Sequence, residues 1–195
     1  MGNNKPNSWR QALVVGTGTF FTAILFSFFS EVVLAKVHII ILSFLFLFLI
    51  ILIGIIFDII GLATAVADET AFHAKAAKKV RGATHALKLL RNADRVASFC
   101  NDVVGDICGT VSGALGASII FQLVTGRPGL NESLLSMVMT GLVAALTVGG
   151  KAAGKRMAID DSVAIVFRVG QTLAWIEEIS GLNIFTNRNR RNKRR

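Results

Sequence analysis

The stretch VHIIILSFLFLFLIILIGIIFD, from Val37 to Asp58, decides the fold class of this chain. It is almost wholly apolar, and beyond Asp58 the chain stays mostly apolar as far as the acidic pair Asp68 and Glu69. A helix of about 20 apolar residues crosses the roughly 30 Å hydrocarbon core of a bilayer. Ionisable groups at membrane depth are costly and usually functional, so these acids are the first candidates for function.

The composition of the whole chain agrees with a membrane protein. Of its 195 residues, 53% are hydrophobic and 17% are charged, and the mean hydropathy is +0.61. The cysteines Cys100 and Cys108 lie in one expected helix, too far apart along its axis to form a disulfide with each other. We therefore expect an all-α, multi-pass helical membrane protein with neither a disulfide framework nor a zinc site.

Hydropathy predicts about four transmembrane helices. The expected segments are an N-terminus over residues 1–12, a transmembrane helical bundle over 13–158, an amphipathic juxtamembrane helix over 159–182 and a basic tail over 183–195. The bundle is expected to contain spans over 13–34, 37–67, 103–124 and 134–150 and basic juxtamembrane helices over 70–98. The third and fourth spans are rich in small residues, which let helices approach closely in lipid. We expect these two spans inside the bundle and the Phe- and Ile-rich second span against lipid.

Basic residues cluster before the first span, between the second and third spans, and after the fourth. The positive-inside rule then places both termini in the cytoplasm of a cell-membrane protein. We expect the basic segments to contact anionic lipid headgroups. We expect no nucleic-acid partner, because these segments lack the interleaved aromatic residues of single-strand binders. Alternatively, the first segment is a signal peptide with Val33-Leu34-Ala35 as its cleavage site, although it is longer than the usual core of about 7 to 15 residues.

A polar cluster opens the third span, at Asn101, Asp102 and Asp106. The two aspartates are four positions apart and share a helix face. We expect this face to lie close to Asp68 and Glu69, where the second span turns back. Carboxylate and amide oxygens are hard ligands that suit Mg²⁺. The alternative is that Asp102 caps the helix and Asp106 pairs with a lysine at the membrane interface.

Several further segments occur in the same order and at similar spacing as the motifs of a known protein family. They are TAVADETAF at 64–72, HALKLLRNADRVASF at 85–99, CNDVVGDI at 100–107 and GKAAGKRMA at 150–158, followed by an amphipathic stretch. Over residues 59–175 the chain resembles the membrane domain of the CNNM/CorC magnesium transporters. In that family the corresponding parts are an FFSGSETAL motif, a basic juxtamembrane stretch, a GNN motif, and a GEIIPK motif that leads into an amphipathic belt helix.

The resemblance implies a site for a transported divalent cation, Mg²⁺ or another, between broken helices. Position by position, Glu69 matches the Glu of the first motif, Asn101 and Asp102 match the two Asn of GNN, and Gly150 and Lys155 match the Gly and Lys of GEIIPK. Asp58 matches no family position and has no expected partner. The expected metal site comprises Asp68, Glu69, Asn101, Asp102, Asp106, and the backbone carbonyls near Gly149 and Gly150.

The chain also departs from the family pattern. Val66 and Asp68 stand where the first motif has serines, and Lys151 and Gly154 stand where GEIIPK has Glu and Pro. The ammonium of Lys151 could take the place of the cation, paired with Asp68 or Asp102. The first hypothesis for the function is a divalent-cation transporter of the CNNM/CorC type. Lys151 raises a second hypothesis, a transport-inactive scaffold or regulatory subunit.

The basic tail occupies the place of the CBS domains that often follow this membrane domain, so we expect those domains to be missing. The expected protein partners are a second copy of the chain or a CBS-containing subunit. A third hypothesis is a membrane anchor that binds lipids or polyanions through the tail from Arg188 to Arg195.

The sequence carries no enzyme signature, neither a Ser/His/Asp order nor a phosphate-binding glycine loop, and we expect no enzymatic activity. His73 and His85 are expected to face lipid headgroups. Trp175 is expected at the membrane interface, with Glu177 and Glu178 solvated beyond it.

Overall fold

A computed structural model describes residues 8–36, 40–125, 127 and 129–181, and the regular structure in these residues is entirely helical. The all-α expectation is confirmed. The elements in chain order are α1 (Ser8–Lys36), α2 (Ile40–Val66), α3 (Thr70–Ala77), α4 (Ala83–Leu90), α5 (Ala93–Ser98), a π-helix (Phe99–Gly105), α6 (Asp106–Thr125), α7 (Glu132–Asp160) and α8 (Ser162–Ser180).

Among the described residues, three helical stretches are long and apolar enough to cross a membrane, namely α2, the continuous stretch Ala93–Thr125, and α7. In α1 the apolar part is Val15–Phe28, which is shorter than these. The helices therefore agree with a multi-pass membrane protein. By length and composition the described residues contain three candidate spans, whereas the sequence predicts about four. The basic tail lies outside the described residues.

The chain divides into two compact units. The first unit comprises Met1–Asp58 and Cys100–Gly154, and the second comprises Ile59–Phe99 and Lys155–Arg195. Helices α2 and α7 each contribute residues to both units.

The core of the first unit is an apolar cluster built from α2, α6 and α7. It includes Leu47 and Ile51 of α2, Val111 and Ile119 of α6, and Met139 of α7. An apolar helix turns every third or fourth side chain to the same side, so α2 buries one face while leaving another exposed. The buried face of α2 does not agree with the expectation that the second span simply faces lipid.

Burial also differs between the two spans that are rich in small residues. In the apolar window of Ala93–Thr125, which contains α6, 44% of the residues are buried, whereas in that of α7 only 11% are. The expected interior position agrees with α6 but not with α7. Within the chain, α7 leaves most of its apolar surface uncovered.

Glycines allow the helices of the first unit to approach closely. A Cβ placed on Gly54 of α2 would lie 2.9 Å from the Cβ of Cys108 in α6. A Cβ on Gly150 of α7 would lie 2.2 Å from Cδ1 of Ile55 in α2. Such close contacts support helix association in lipid, because apolar side chains there gain little by exchanging lipid tails for one another and close packing has to supply the attraction.

The second unit has a separate core, in which Phe72 of α3, Ala86 of α4 and Val166 of α8 are fully buried. Helix α8 buries a stripe of residues spaced by four, Ser162, Val166, Gly170 and Ala174. Residues spaced by four share a face of an α-helix, so one side of α8 is committed to packing within this unit.

Candidate functional site

The first unit contains an ion pair between two candidate membrane-spanning helices. Nζ of Lys151 in α7 lies 3.3 Å from Oδ1 of Asp58 in α2, and the side chains are 24% and 14% exposed. A Cβ on Gly105, at the end of the π-helix, would lie 3.3 Å from the same Nζ atom. The ammonium therefore lies against both the Asp58 carboxylate and the backbone of the π-helix.

This geometry corrects the sequence-based assignment of Asp58, which had been given no partner. The expected pairing of Lys151 was with Asp68 or Asp102, whereas the structure pairs it with Asp58. The pairing arises from the packing of α7 on α2, where Gly150 meets Ile55. One turn of helix beyond Ile55 brings Asp58 onto the side of α2 that faces α7.

Asn101 lies within the π-helix Phe99–Gly105. Its Oδ1 atom is buried and has no hydrogen-bond partner among the described residues. A buried amide oxygen normally has a partner, because leaving it unpaired costs about 1–3 kcal/mol. Single-turn π-helices inside α-helical stretches are frequent at functional sites. Asn101 is thus the predicted ligand whose surroundings leave its oxygen open to a further interaction.

The remaining predicted ligands of the first unit have ordinary surroundings. Asp102 and Asp106 are exposed. Gly149 is exposed, and a Cβ there would meet nothing within 4 Å. Gly150 packs against Ile55, and this contact leaves no room for a side chain at position 150. Helix packing therefore accounts for the glycine.

Asp68 and Glu69 belong to the second unit, and both have local partners. The Asp68 carboxylate accepts hydrogen bonds from the Thr70 hydroxyl at 2.5 Å and from the Thr70 backbone N–H at 2.9 Å. These two bonds, the side-chain bond first, lower the pKa of Asp68 below its ordinary value of 3.8. Glu69 accepts a hydrogen bond from Nε of Arg91 at 3.0 Å, and its carboxylate lies 3.6 Å from His73.

These contacts give both carboxylates a structural role at the start of α3. Asp68 satisfies a backbone N–H of the first turn, as residues before a helix commonly do. In the part of the chain that the structure describes, no three His, Cys, Asp or Glu side chains are grouped closely enough to hold a metal ion.

A second polar cluster, which the sequence did not predict, joins α4 to α8 in the second unit. Nε2 of His85 lies 2.6 Å from Oε2 of Glu177, with side chains 14% and 22% exposed. Arg81 Nη2 lies 2.5 Å from Glu178 Oε2 and is more exposed. The expectations that His85 faces headgroups and that Glu177 is solvated are therefore wrong, because the fold of the second unit brings the two side chains together.

The chain matches no known protein family, curated protein or solved structure. The resemblance of residues 59–175 to the CNNM/CorC membrane domain stays a prediction.

Proposed function

We propose that this chain is a transport-inactive membrane scaffold or regulatory subunit, in which Lys151 takes the place of a cation. The observation that carries the proposal is the ion pair of Lys151 with Asp58 beside the π-helix. An ammonium held there repels a divalent cation and neutralises the nearest carboxylate. The pair ties α7 to α2 next to the contact between Gly150 and Ile55.

The energetics of such a pair also favour a structural role. Taking two charges out of water costs several kcal/mol per ion, which mutual attraction only partly or just offsets. Removing one partner leaves an uncompensated charge, so the pair resists separation and fixes the register of the helices. A fixed register suits a scaffold, whereas a transport site has to release its cation.

A second candidate function is divalent-cation transport, and the buried oxygen of Asn101 favours it. The site would use Asn101, Asp102 and nearby backbone carbonyls, with Asp106 in support. Mg²⁺ commonly keeps several waters and takes only one or two carboxylates from the protein. Asp68 and Glu69 are weaker members of such a site, because Thr70 and Arg91 already engage them.

The basic segments of the second unit support a further part of the proposal, contact with an anionic bilayer. Lys78, Lys79 and Arg81 are exposed in the turn between α3 and α4, and each basic residue near an anionic surface contributes about 1 kcal/mol. A protein partner, either a second copy of the chain or a CBS-containing subunit, remains part of the proposal.

The Lys151→Glu variant tests the proposed role of the lysine. It places two carboxylates side by side, so we expect a lower melting temperature in metal-free detergent solution. If Lys151 stands in place of a cation, millimolar Mg²⁺ should raise the melting temperature of this variant above that of its metal-free form, because a ligand that binds the folded state stabilises it. A melting temperature that does not respond to Mg²⁺ would contradict the view that Lys151 fills a cation site. Lys155→Glu, on the exposed part of α7, is the matched control and should melt like the wild type.

A further inference from the structure

The two halves of α8 are held to α4 by different kinds of contact. In the middle of α8, Gly170 meets the backbone of α4, and a Cβ there would lie 2.5 Å from the carbonyl oxygen of Gly82 and 2.9 Å from the nitrogen of Ala86. Backbone contacts of this kind do not change with pH. They hold the central part of α8 in place whatever the charge state of the side chains.

Beyond Gly170 the apolar attachment is thin. Ala174 is the one buried residue of this half of α8, while Trp175 and Ile179 are 57% and 66% exposed. Two polar contacts remain in the described part of the chain, one between Arg81 and Glu178 and one between His85 of α4 and Glu177 of α8. Because His85 and Glu177 are largely shielded from water, their interaction is stronger than that of the exposed Arg81–Glu178 pair.

We propose that His85 and Glu177 form a pH-sensitive latch that fastens the C-terminal half of α8 to α4. Imidazole changes its charge between about pH 5 and 8. On the acid side of this range the imidazolium and the carboxylate attract each other as ions in direct contact. As the pH rises the imidazole becomes neutral and retains only a hydrogen bond, so the C-terminal half of α8 loosens.

Other charged groups lie around the latch and set its balance. The cavity beside it, of about 440 Å³, is also lined by Lys79 and Arg81 from the turn before α4 and by Glu178 from α8. Arg81 and Glu178 are paired with each other, and Glu177 is in direct contact with His85 at 2.6 Å. The adjoining helix α3 contributes a further positive charge, Lys75, whose Nζ atom lies over the Phe167 ring at 4.3 Å from the ring centre.

Tryptophan fluorescence of the full-length protein in nanodiscs tests the latch. The chain has two tryptophans, at positions 9 and 175, so in a Trp9→Phe background the emission reports on α8 alone. We expect one transition of the emission maximum between about pH 5 and 8. The same background with His85→Gln should lose this transition, because glutamine keeps a hydrogen bond but does not titrate.

Two further variants make the result decisive. His73→Gln removes another histidine that lies near a glutamate in the second unit, and it should leave the transition intact. Glu177→Gln keeps His85 and should reduce the amplitude of the transition by at least half, even if His85→Gln folds poorly. The proposal is overturned if the Trp9→Phe protein shows no transition, or if the transition survives unchanged in either His85→Gln or Glu177→Gln.

Discussion

The Lys151 ammonium of α7 lies 3.3 Å from the Asp58 carboxylate of α2, so two candidate membrane spans are joined by an ion pair. Neither charge has to be neutralised by a metal in this arrangement. A pair of this kind makes each side chain depend on the other, which a mutant cycle can measure.

Removing either charge alone should destabilise the protein more than removing both. We expect Asp58→Asn and Lys151→Met each to lower the free energy of unfolding by about 1–3 kcal/mol, less than for a fully buried pair because both groups retain some exposure. The double variant should be closer to the wild type than the sum of the two single variants. Thermal unfolding in detergent, followed by the reactivity of the buried Cys100 and Cys108 thiols, measures this. Strictly additive losses would show that the two side chains do not interact.

The contact between Gly170 and Gly82 should tolerate no added methyl group. Because a Cβ on Gly170 would clash with backbone atoms, Gly170→Ala should cost about 1–3 kcal/mol and lower the melting temperature. Gly113→Ala in α6 is the control, since a Cβ there meets nothing within 4 Å. Alanine is the better helix former by up to about 1 kcal/mol, so the control should be neutral or stabilising. Equal melting temperatures for the two variants would contradict the packing of α8 on α4.

The Thr70 hydroxyl should hold the pKa of Asp68 down. In Thr70→Val the backbone N–H bond remains, so the pKa should rise only part of the way back to 3.8. A lowered pKa in the folded state means that this bond stabilises the fold above the ordinary value and stops doing so as the pH falls through the lowered one. A ¹³C NMR titration of labelled aspartate measures the change. Thr172→Val, whose hydroxyl bonds to the Val169 carbonyl, should leave the Asp68 titration where it was.

The helices could be predicted from the sequence to a large extent, because their signal is local. The apolar run from Val37 gives α2 directly, and α8 falls within the expected amphipathic segment 159–182. The π-helix Phe99–Gly105 was not predicted, since one added residue per turn leaves little trace in hydropathy.

The partners of the polar side chains could not be predicted. His85 and Glu177 are 92 positions apart, and their meeting depends on how α4 packs on α8. The pairing of Lys151 with Asp58 depends in the same way on the register of α7 against α2. Local patterns identify which residues are polar, whereas the packing of distant helices decides what each one contacts.

Reconstitution into liposomes that contain a Mg²⁺-sensitive dye tests the proposed function most directly. If the chain is a scaffold whose lysine stands in place of a cation, the wild type should give no Mg²⁺ flux above that of protein-free liposomes. A flux that is present in the wild type, collapses in Asp102→Ala and persists in Asp94→Ala, a change at an exposed aspartate outside the predicted site, would contradict it and establish transport instead.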